Sequence, residues 1–462
     1  MSSTTLDSIV SLCKRRGFIF PGSDIYGGLA NTYDFGPMGV ELLRNITNYW
    51  WDYFVTRRPD IYGLDTAILM SPKVWEASGH TASFADVLID CKHCQNRTRA
   101  DHVIEDYYAS QGEDKKVEGL SPEELSDILT KEHIKCPKCG VSDWTPARRF
   151  NLLFETKIGI LPDNKSTAYL RGEIAQGMFT NFKNVLNTIR PKLPFGLAQT
   201  GKAFRNEITM GNFIFRTLEF NLAEFEYFFD PDTTDWHQLF DTWKETMYQF
   251  ALSLGLSEDN LRWRTHTDKE RSHYSQQTED LDFNYPFGGF KEMFGLAYRT
   301  DFDLKNHMDK SGQDLRYLDP MDNNHRFIPH VIEPTFGVNR ILLAILTQSF
   351  YQDDKRTVLK LPAKFAPFKA AVFPLLANKP ELVTKARSVF DLLSTQMATN
   401  WDDRGNIGKR YLAQDEIGTP FCITIDFDTL TDDTVTIRNR DTTNQDRVNI
   451  DKLAKYLQDQ LQ

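Results

Sequence analysis

The sequence predicts an α+β fold: a sheet built from hairpins and flanked by helices, with a Cys-rich lobe inserted and a small α/β domain at the C-terminus. Three observations carry this expectation. From about Phe150 to Asp230 the chain alternates short apolar and aromatic runs with turn residues, as strands do. A polar stretch from about Cys91 to Pro146 holds two Cys-x-x-Cys pairs and reads as an insertion. After Lys360 the run LPAKFAPFKAAVFPLL reads as a Pro-marked linker entering a buried strand, with helix, strand and helix beyond. The expected division is 1–90, 91–146, 147–358 and 359–462.

The elements follow in order. GPMGVELLRNITNYWWDYFVTRRP predicts a long helix from about Met38 to Thr56, because apolar residues recur at three- and four-residue spacing between Gly36-Pro37 and Pro59. IYGLDTAILM reads as a strand stopped by Ser71-Pro72. In the insertion, SPEELSDILTKEHIK predicts a short helix with Ser121 as N-cap, Pro122 at its first position and Glu124 completing a capping box. A further helix is expected near Trp236–Leu254. PHVIEPTFGVNRILLAILTQSF reads as strand, Gly turn and apolar helix.

Composition sets the outer limits. The chain has 462 residues, 40% hydrophobic and 13% aromatic, which predicts two or three domains with a large core and excludes global disorder. The N-terminus has no apolar run of secretory type, and no segment has the length of a spanning helix, so a soluble, cytoplasmic protein without a membrane partner is expected. The net charge of −10 excludes a generic nucleic-acid coat. Residues 361–462 carry 13 Lys and Arg against 14 Asp and Glu, so nearly all of that charge lies upstream.

The charged motifs point to a polar ligand. In FRNEITMGNFIFRTLEF, Arg205, Glu207, Arg216 and Glu219 interrupt strand-like residues around an expected turn at Thr209-Met210-Gly211-Asn212. Alternation puts Arg216, Leu218, Phe220, Leu222 and Glu224 on one face of the second strand. Arginines among aromatics suit a nucleotide, because guanidinium forks bind phosphates and a ring stacks on a base. A surface hairpin with solvated charges is the plain alternative. Glu333 and Arg340 flank the Gly turn of IEPTFGVNR; Glu173 interrupts LRGEIAQGMF; Glu292 and Arg299 interrupt GGFKEMFGLAYRT. GLAQTGKA nearly matches a phosphate-binding loop, but Ala203 supplies no hydroxyl for Mg²⁺ and no helix follows. Cys91, Cys94, Cys136 and Cys139 have the spacing of one tetrahedral zinc held by four thiolates, a closed and hence structural shell; knuckles without metal are the alternative.

Several long collinear stretches resemble the dimeric glycyl-tRNA synthetase family of class II aminoacyl-tRNA synthetases: SDIYGGLANTYDFGPMGVELLRNITNYWW, FRNE…FRTLEF, EPTFGVNR and GNIGKRYLAQDEIGTPFCITIDFDTLTDDTVTIRNRDT. The resemblance implies a class II antiparallel sheet, a C-terminal anticodon-binding domain, ATP and Mg²⁺, glycine, tRNA(Gly) and a homodimer with a contact at the first long helix. It implies that Arg205, Glu292 and Arg340 are catalytic. ATP would be held by Arg205, Asn206, Glu207, Phe215, Arg216, Phe220, Glu292, Met293, Gly337 and Arg340, with Glu292 as Mg²⁺ ligand. Glycine would be held by Arg99, Glu173, Glu224, Arg299, Glu333 and Thr335. The basic residues Arg404, Lys409, Arg410, Arg438 and Arg440 would contact tRNA phosphates. Gly172, Ile174, Asn221, Leu222 and Thr335 depart from the family's usual residues, all toward the amino-acid end. Two other readings compete: an inactive synthetase-like nucleic-acid-binding accessory protein, and a class II synthetase for serine, threonine or proline. Retention of Arg205, Arg216, Arg340, Glu207 and Glu292 argues against the first.

Overall fold

The computed structural model describes residues 4–461 apart from 114, 116, 118, 160–165, 208–210, 269 and 320–324. Its centre is a seven-stranded sheet. In spatial order the strands are Leu261–Thr265, Gln277–Tyr285, Gly289–Thr300, His330–Gly337, Glu219–Phe229, Phe195–Phe204 and Ile61–Gly63. All neighbours are antiparallel except the last pair.

One face of this sheet is apolar. Phe225 and Phe336 point into a packed layer closed by Trp50 and Phe54, with Trp243 and Phe250 beside them. Trp50 and Phe54 come from the predicted long helix, which runs Pro37–Trp51 and continues through a π-helical turn, Asp52–Thr56. Trp243 and Phe250 come from the helix Trp236–Ser253, and Val338–Ser349 adds a third, almost wholly buried helix. The opposite face is half covered: helix Ala175–Thr188 lays Met178, Phe179 and Phe182 over Phe195, Leu197 and Phe228. The uncovered half of that face is a cleft.

The inserted lobe has its own small sheet, ordered Arg97–Arg99, Ala85–Asp90 and Arg148–Asn151, and a core of Ile89, Ile104, Leu125 and Leu129. Its second helix, Pro122–Lys131, carries the expected capping box: Glu124 N–H donates to Ser121 Oγ at 3.2 Å and Ser121 N–H to Glu124 Oε2 at 2.8 Å. The C-terminal unit is a mixed five-stranded sheet with helices Pro380–Ser394, Ile407–Ile417 and Ile450–Leu461. It touches the N-terminus through Arg15 and Arg16, which both reach Glu416.

Two local expectations change. IYGLDTAILM is two short strands in different sheets, Ile61–Gly63 and Leu69–Met70, and Ser71 caps the helix Pro72–Ala77 that follows. The second hairpin strand begins only at Glu219, because Phe213–Phe215 form a helical turn and Asn212 sits at φ +65°. Strand alternation therefore holds from Phe220 through Leu222 to Glu224, but does not extend back to Arg216. Of the expected turn, Thr209 and Met210 lie outside the described residues.

Candidate active site

The cleft takes its shape from the alternation of the Glu219–Phe229 strand. Phe220, Leu222, Glu224 and Glu226 share a face, so one strand carries an aromatic ring at one end of the cleft and two carboxyls at the other. Leu222 packs with Ile174 and Ala203 as an apolar floor against Phe220. Around this line a cleft is bounded by Arg205, Glu207, Phe215, Arg216, Glu292, Thr335, Gly337 and Arg340. It opens into a 790 Å³ cavity that shares Phe215, Arg216, Glu292 and Arg340 and adds Arg262, Arg264 and Lys291.

The cationic end is ordered by pairing and stacking. Arg205 donates from Nε to the Gly172 carbonyl at 3.0 Å, and its guanidinium lies 5.0 Å from the Phe84 ring centre and 5.4 Å from that of Phe220. Arg340 sits 2.9 Å from Glu292 Oε1 and 4.6 Å from the centre of the Phe215 ring. These contacts fix each guanidinium plane while leaving other N–H groups for a ligand. Arg340 lies in the first turn of the helix Val338–Ser349, and Gly337 before it has no Cβ to crowd that side chain: a Cβ there would lie 3.0 Å from Arg340 Cδ. Glu207 and Arg216 face each other more loosely, at 3.8 Å. Partial desolvation in the cleft works against ionisation of Glu292, but Arg340 outweighs it and holds the carboxyl below its ordinary range.

The acidic end is almost dry. Arg299, 0% exposed, clamps Asp303 with Nε and Nη2 at 2.7 and 2.8 Å and reaches Glu333 with Nη1 at 2.9 Å. Three of its five N–H groups are thus committed among the described residues, and its plane stacks 3.8 Å from the Tyr274 ring centre. Glu173 faces His80 Nε2 at 3.1 Å and accepts from Gln176 at 3.0 Å. Burial would raise Glu173, but His80 and Arg299 outweigh it, so the carboxyl stays ionised. Burial pushes Glu333 up to about 7 even against Arg299.

The sequence expectations can be placed residue by residue. Arg205, Glu207, Phe215, Arg216, Phe220, Glu292, Gly337 and Arg340 meet in one cleft, with Glu224 and Thr335 at its far end. Glu173, Glu333 and Arg299 lie behind that end. Met293 is different: its side chain is fully buried in the main core, on the other face of its strand from a cleft ligand. Asn206 does not line the cleft; its backbone N–H donates to the Leu152 carbonyl. Arg99 belongs to the inserted lobe, where Asp86 and Asp101 bind it, and not to the acidic cluster. Glu219 turns away and pairs with Lys202 at 2.8 Å.

The basic residues of the C-terminal unit divide. Arg410 is 2% exposed and donates to the carbonyls of Pro374, Asp403, Arg404 and Gly405. Arg438 grips Asp415 at 2.8 and 3.0 Å, and Arg440 is tied to Asp441 and the Gly418 carbonyl. These three are internal braces rather than phosphate contacts. Arg404 and Lys409 are exposed.

Residues missed from sequence are His80, Gln176, Asp303, Asn339 and Glu226. Asn339 receives hydrogen bonds from the backbone and side chain of Asn221, at 3.3 and 2.9 Å, which holds the strand edge beside the cleft. Glu226 could have been found from EFEYFF, since a carboxyl two residues beyond Glu224 must share its face.

In the inserted lobe, Cys91, Cys94, Cys136 and Cys139 bring their sulfurs within 4.8 Å of one another. The Sγ–Sγ distances of 3.6 Å for Cys91–Cys139 and 3.7 Å for Cys94–Cys136 match the edge of about 3.8 Å that follows from Zn–S bonds of about 2.3 Å in a tetrahedron. The donor set fits a metal ion.

Comparison with known proteins agrees with this geometry. Residues 154–349 match the tRNA synthetase class II core domain (G, H, P, S and T), and residues 369–460 match the anticodon binding domain. The chain is 50% identical over 465 residues to a protein of Clostridium tetani named glycine--tRNA ligase, covering 99% of both chains. It is 50% identical over 463 residues to one of the same name from Alkaliphilus oremlandii, covering 99% of this chain and 98% of the relative. The same identity holds over 464 residues with that of Clostridium acetobutylicum. Full-length matches at this level, on a class II core followed by an anticodon-binding domain, do not favour the accessory-protein or other-amino-acid readings: the chain belongs to the glycine–tRNA ligase family.

Proposed function

We propose that the chain makes glycyl-tRNA in two steps on the open face of its central sheet, with ATP at the arginine end of the cleft and glycine at the acidic end. The observation that carries this reading is the single strand Glu219–Phe229, which presents Phe220 to one end and Glu224 to the other. In the first step a glycine carboxylate oxygen attacks the α-phosphorus of ATP. The bond to the bridging oxygen breaks, and pyrophosphate leaves with its electron pair. No general base is needed, because the attacking carboxylate is already ionised. Alignment and charge compensation on the phosphorus oxygens are what remain to be supplied.

Arg205 meets the α-phosphate, Arg216 and Arg340 the outer phosphates, Phe220 stacks on adenine, and Glu207 approaches the adenine end. Glu292 fits Mg²⁺, being a half-exposed carboxylate at the phosphate end of the cleft. When bound, that ion would offset charge on the phosphate oxygens. Glu173, Glu224 and Glu333 receive the ammonium, and Arg299 keeps two N–H groups for the substrate carboxylate. In the second step a terminal ribose hydroxyl of the tRNA attacks the glycyl carbonyl, the bond from that carbonyl carbon to the phosphate oxygen breaks, and AMP leaves while the hydroxyl proton passes to its phosphate or to solvent.

Cys91, Cys94, Cys136 and Cys139 hold a structural zinc that ties the inserted lobe together. The proposed division is 1–90, 91–146, 147–358 and 359–462, with the flanking strands Ala85–Asp90 and Arg148–Asn151 completing the sheet of the inserted lobe. Among the described residues no helix is long and apolar enough to cross a membrane. Ile25, Tyr26 and Leu29, exposed by 88, 86 and 59% just before the first long helix, support a two-fold homodimer through that end of the molecule. The test is Arg205→Ala: pyrophosphate exchange should fall about 10²–10³-fold while tRNA binding stays unchanged. Unchanged exchange would remove Arg205 from the phosphate site.

A further inference from the structure

Behind the cleft, Glu224, Glu226 and Glu333 bring carboxylate oxygens within 4.8 Å of one another. All three are nearly or wholly buried, and Glu226 is 0% exposed. Arg299 serves Glu333 and Asp303, and His80 and Gln176 serve Glu173. Nothing comparable reaches Glu226. Neither of its oxygens, nor Oε2 of Glu224, has a hydrogen-bond partner among the described residues. On the neighbouring strand the residue in register with Glu226 is Leu197, which has no donor to offer. Three ionised carboxyls this close in a dry site are not stable together, so a proton or an outside cation must be present.

We propose that Glu226 is a further carboxyl of the amino-acid pocket, sharing a proton with Glu224 in the empty enzyme and losing it when the substrate ammonium enters. This rests on the reading of Glu173, Glu224 and Glu333 as the ammonium pocket. The O–H bond of the shared proton breaks and the proton passes to solvent. The ammonium keeps its three N–H bonds and takes the proton's place between the carboxylates. Burial first, and then the facing Glu333, raises both Glu224 and Glu226 well above the ordinary carboxyl range. Arg299 pulls the other way on both, and Arg205 on Glu224, while Asp303 adds to the rise of Glu226. The consequence is selection for a positively charged amine: glycolate, which carries a neutral hydroxyl in place of the ammonium, would leave the shared proton in place.

The test is calorimetric titration with a non-hydrolysable glycyl-adenylate mimic, glycyl-sulfamoyl-adenosine, and with adenosine sulfamate, which lacks the glycyl group. Both are run in buffers of different ionisation enthalpy at about pH 6.5, below the α-amino range. Wild-type enzyme should release about one proton on binding the glycyl compound and none with the other. Glu226→Gln should abolish most of that release and weaken the glycyl compound about 10-fold or more. Equal release for the two ligands, no release from wild type, or undiminished release from Glu226→Gln would overturn the proposal. Absence of release from wild type overturns the proposal even if the Glu226 variant does not fold, and because Glu333 is itself raised to about 7, release that persists in Glu333→Gln assigns the proton to Glu224 and Glu226 while release lost there overturns it. Glu333→Gln separates the two levels. If it leaves binding of the glycyl compound unchanged, the pocket reading itself fails. If it weakens binding while wild type releases no proton, only the claim for Glu226 fails.

Discussion

Arg340 Nη1 lies 2.9 Å from Glu292 Oε1, and the same nitrogen donates to the Glu292 backbone carbonyl at 3.1 Å. The first residue of this pair lies in the first turn of a helix and the second sits in a strand, so the contact fixes the arginine-lined end of the cleft from two independent elements. Arg340→Ala should lower kcat for adenylate formation about 10²–10³-fold, and Glu292→Gln should do so by a similar factor. The double variant should lose less than the product of the two, because each residue positions the other. Pyrophosphate exchange across this set of variants checks it. Strict multiplication of the two losses would mean that they act separately.

Arg299 is the only guanidinium described inside the acidic cluster, so its removal leaves several buried carboxyls without their cation. Arg299→Leu should cost about 3–5 kcal/mol of stability, as breaking a buried ion pair does. Arg299→Lys should keep the charge but lose the two-point grip on Asp303, and so raise KM for glycine more than it lowers stability. Urea unfolding and glycine-dependent exchange, measured on both variants, separate the two effects.

The raised carboxyls also predict how stability depends on pH. A carboxyl whose folded pKa is raised binds its proton more tightly when folded, so its contribution is present at low pH and is lost as pH rises. For Glu333 the window runs from the ordinary value of 4.5 up to about 7. Across it the unliganded protein should lose up to about 1.4 kcal/mol per pH unit for each extra proton held by the folded state. Glu173 acts in the opposite sense, since its pKa is lowered, and its contribution disappears only as pH falls below the carboxyl range. Denaturant midpoints of the free enzyme should therefore decline between about pH 5 and pH 7, and the decline should shrink in Glu333→Gln. A midpoint that rises through this interval would show that the acidic cluster is fully ionised.

On the C-terminal unit the exposed and buried arginines should behave differently. Arg404→Ala and Lys409→Ala should each weaken tRNA binding and lower its salt slope by about 1, as loss of a phosphate contact does. Arg438→Ala should instead leave the buried Asp415 with Arg356 alone as its guanidinium partner among the described residues, and destabilise the domain. Binding measured across salt concentrations, beside thermal unfolding, distinguishes a contact from a brace.

In the inserted lobe, Cys136→Ser should drop bound zinc below one per chain and expose the lobe to protease between about residues 91 and 146, leaving the main sheet protected. Metal content together with limited proteolysis provides the readout. Full zinc content in the variant would place the metal elsewhere.

The fold was legible where local chemistry is strong. The capping box Ser121–Glu124, the aromatic stripe ending in Trp50 and Phe54, and the Cys-x-x-Cys pairs each follow from spacing alone. The meeting of Arg205, Arg216, Glu292 and Arg340 in one cleft was legible because charges inside strand-like runs must have a partner. What the sequence could not show is which way a charge points once the chain is folded. Arg410, Arg438 and Arg440 look like a basic patch in sequence, yet they fold inward onto carbonyls and carboxylates. Met293 follows Glu292 by one position and so must face the core. Glu226 was hidden by its apolar neighbours, and His80 by lying far upstream of the carboxyl it faces. Long-range pairing of that kind leaves no local pattern.

The most direct test of the central claim is ATP–pyrophosphate exchange on the purified protein, run separately with glycine, alanine, serine, threonine and proline. A missing methyl group changes attraction by only about 1–3 kcal/mol, so alanine has to be rejected by clash in the pocket proposed at Glu224, Thr335 and Glu333. Exchange with glycine, and little or none with the others, is the predicted result. Exchange driven by alanine or serine as well as by glycine, or by none of the five from folded protein that binds ATP, would contradict it.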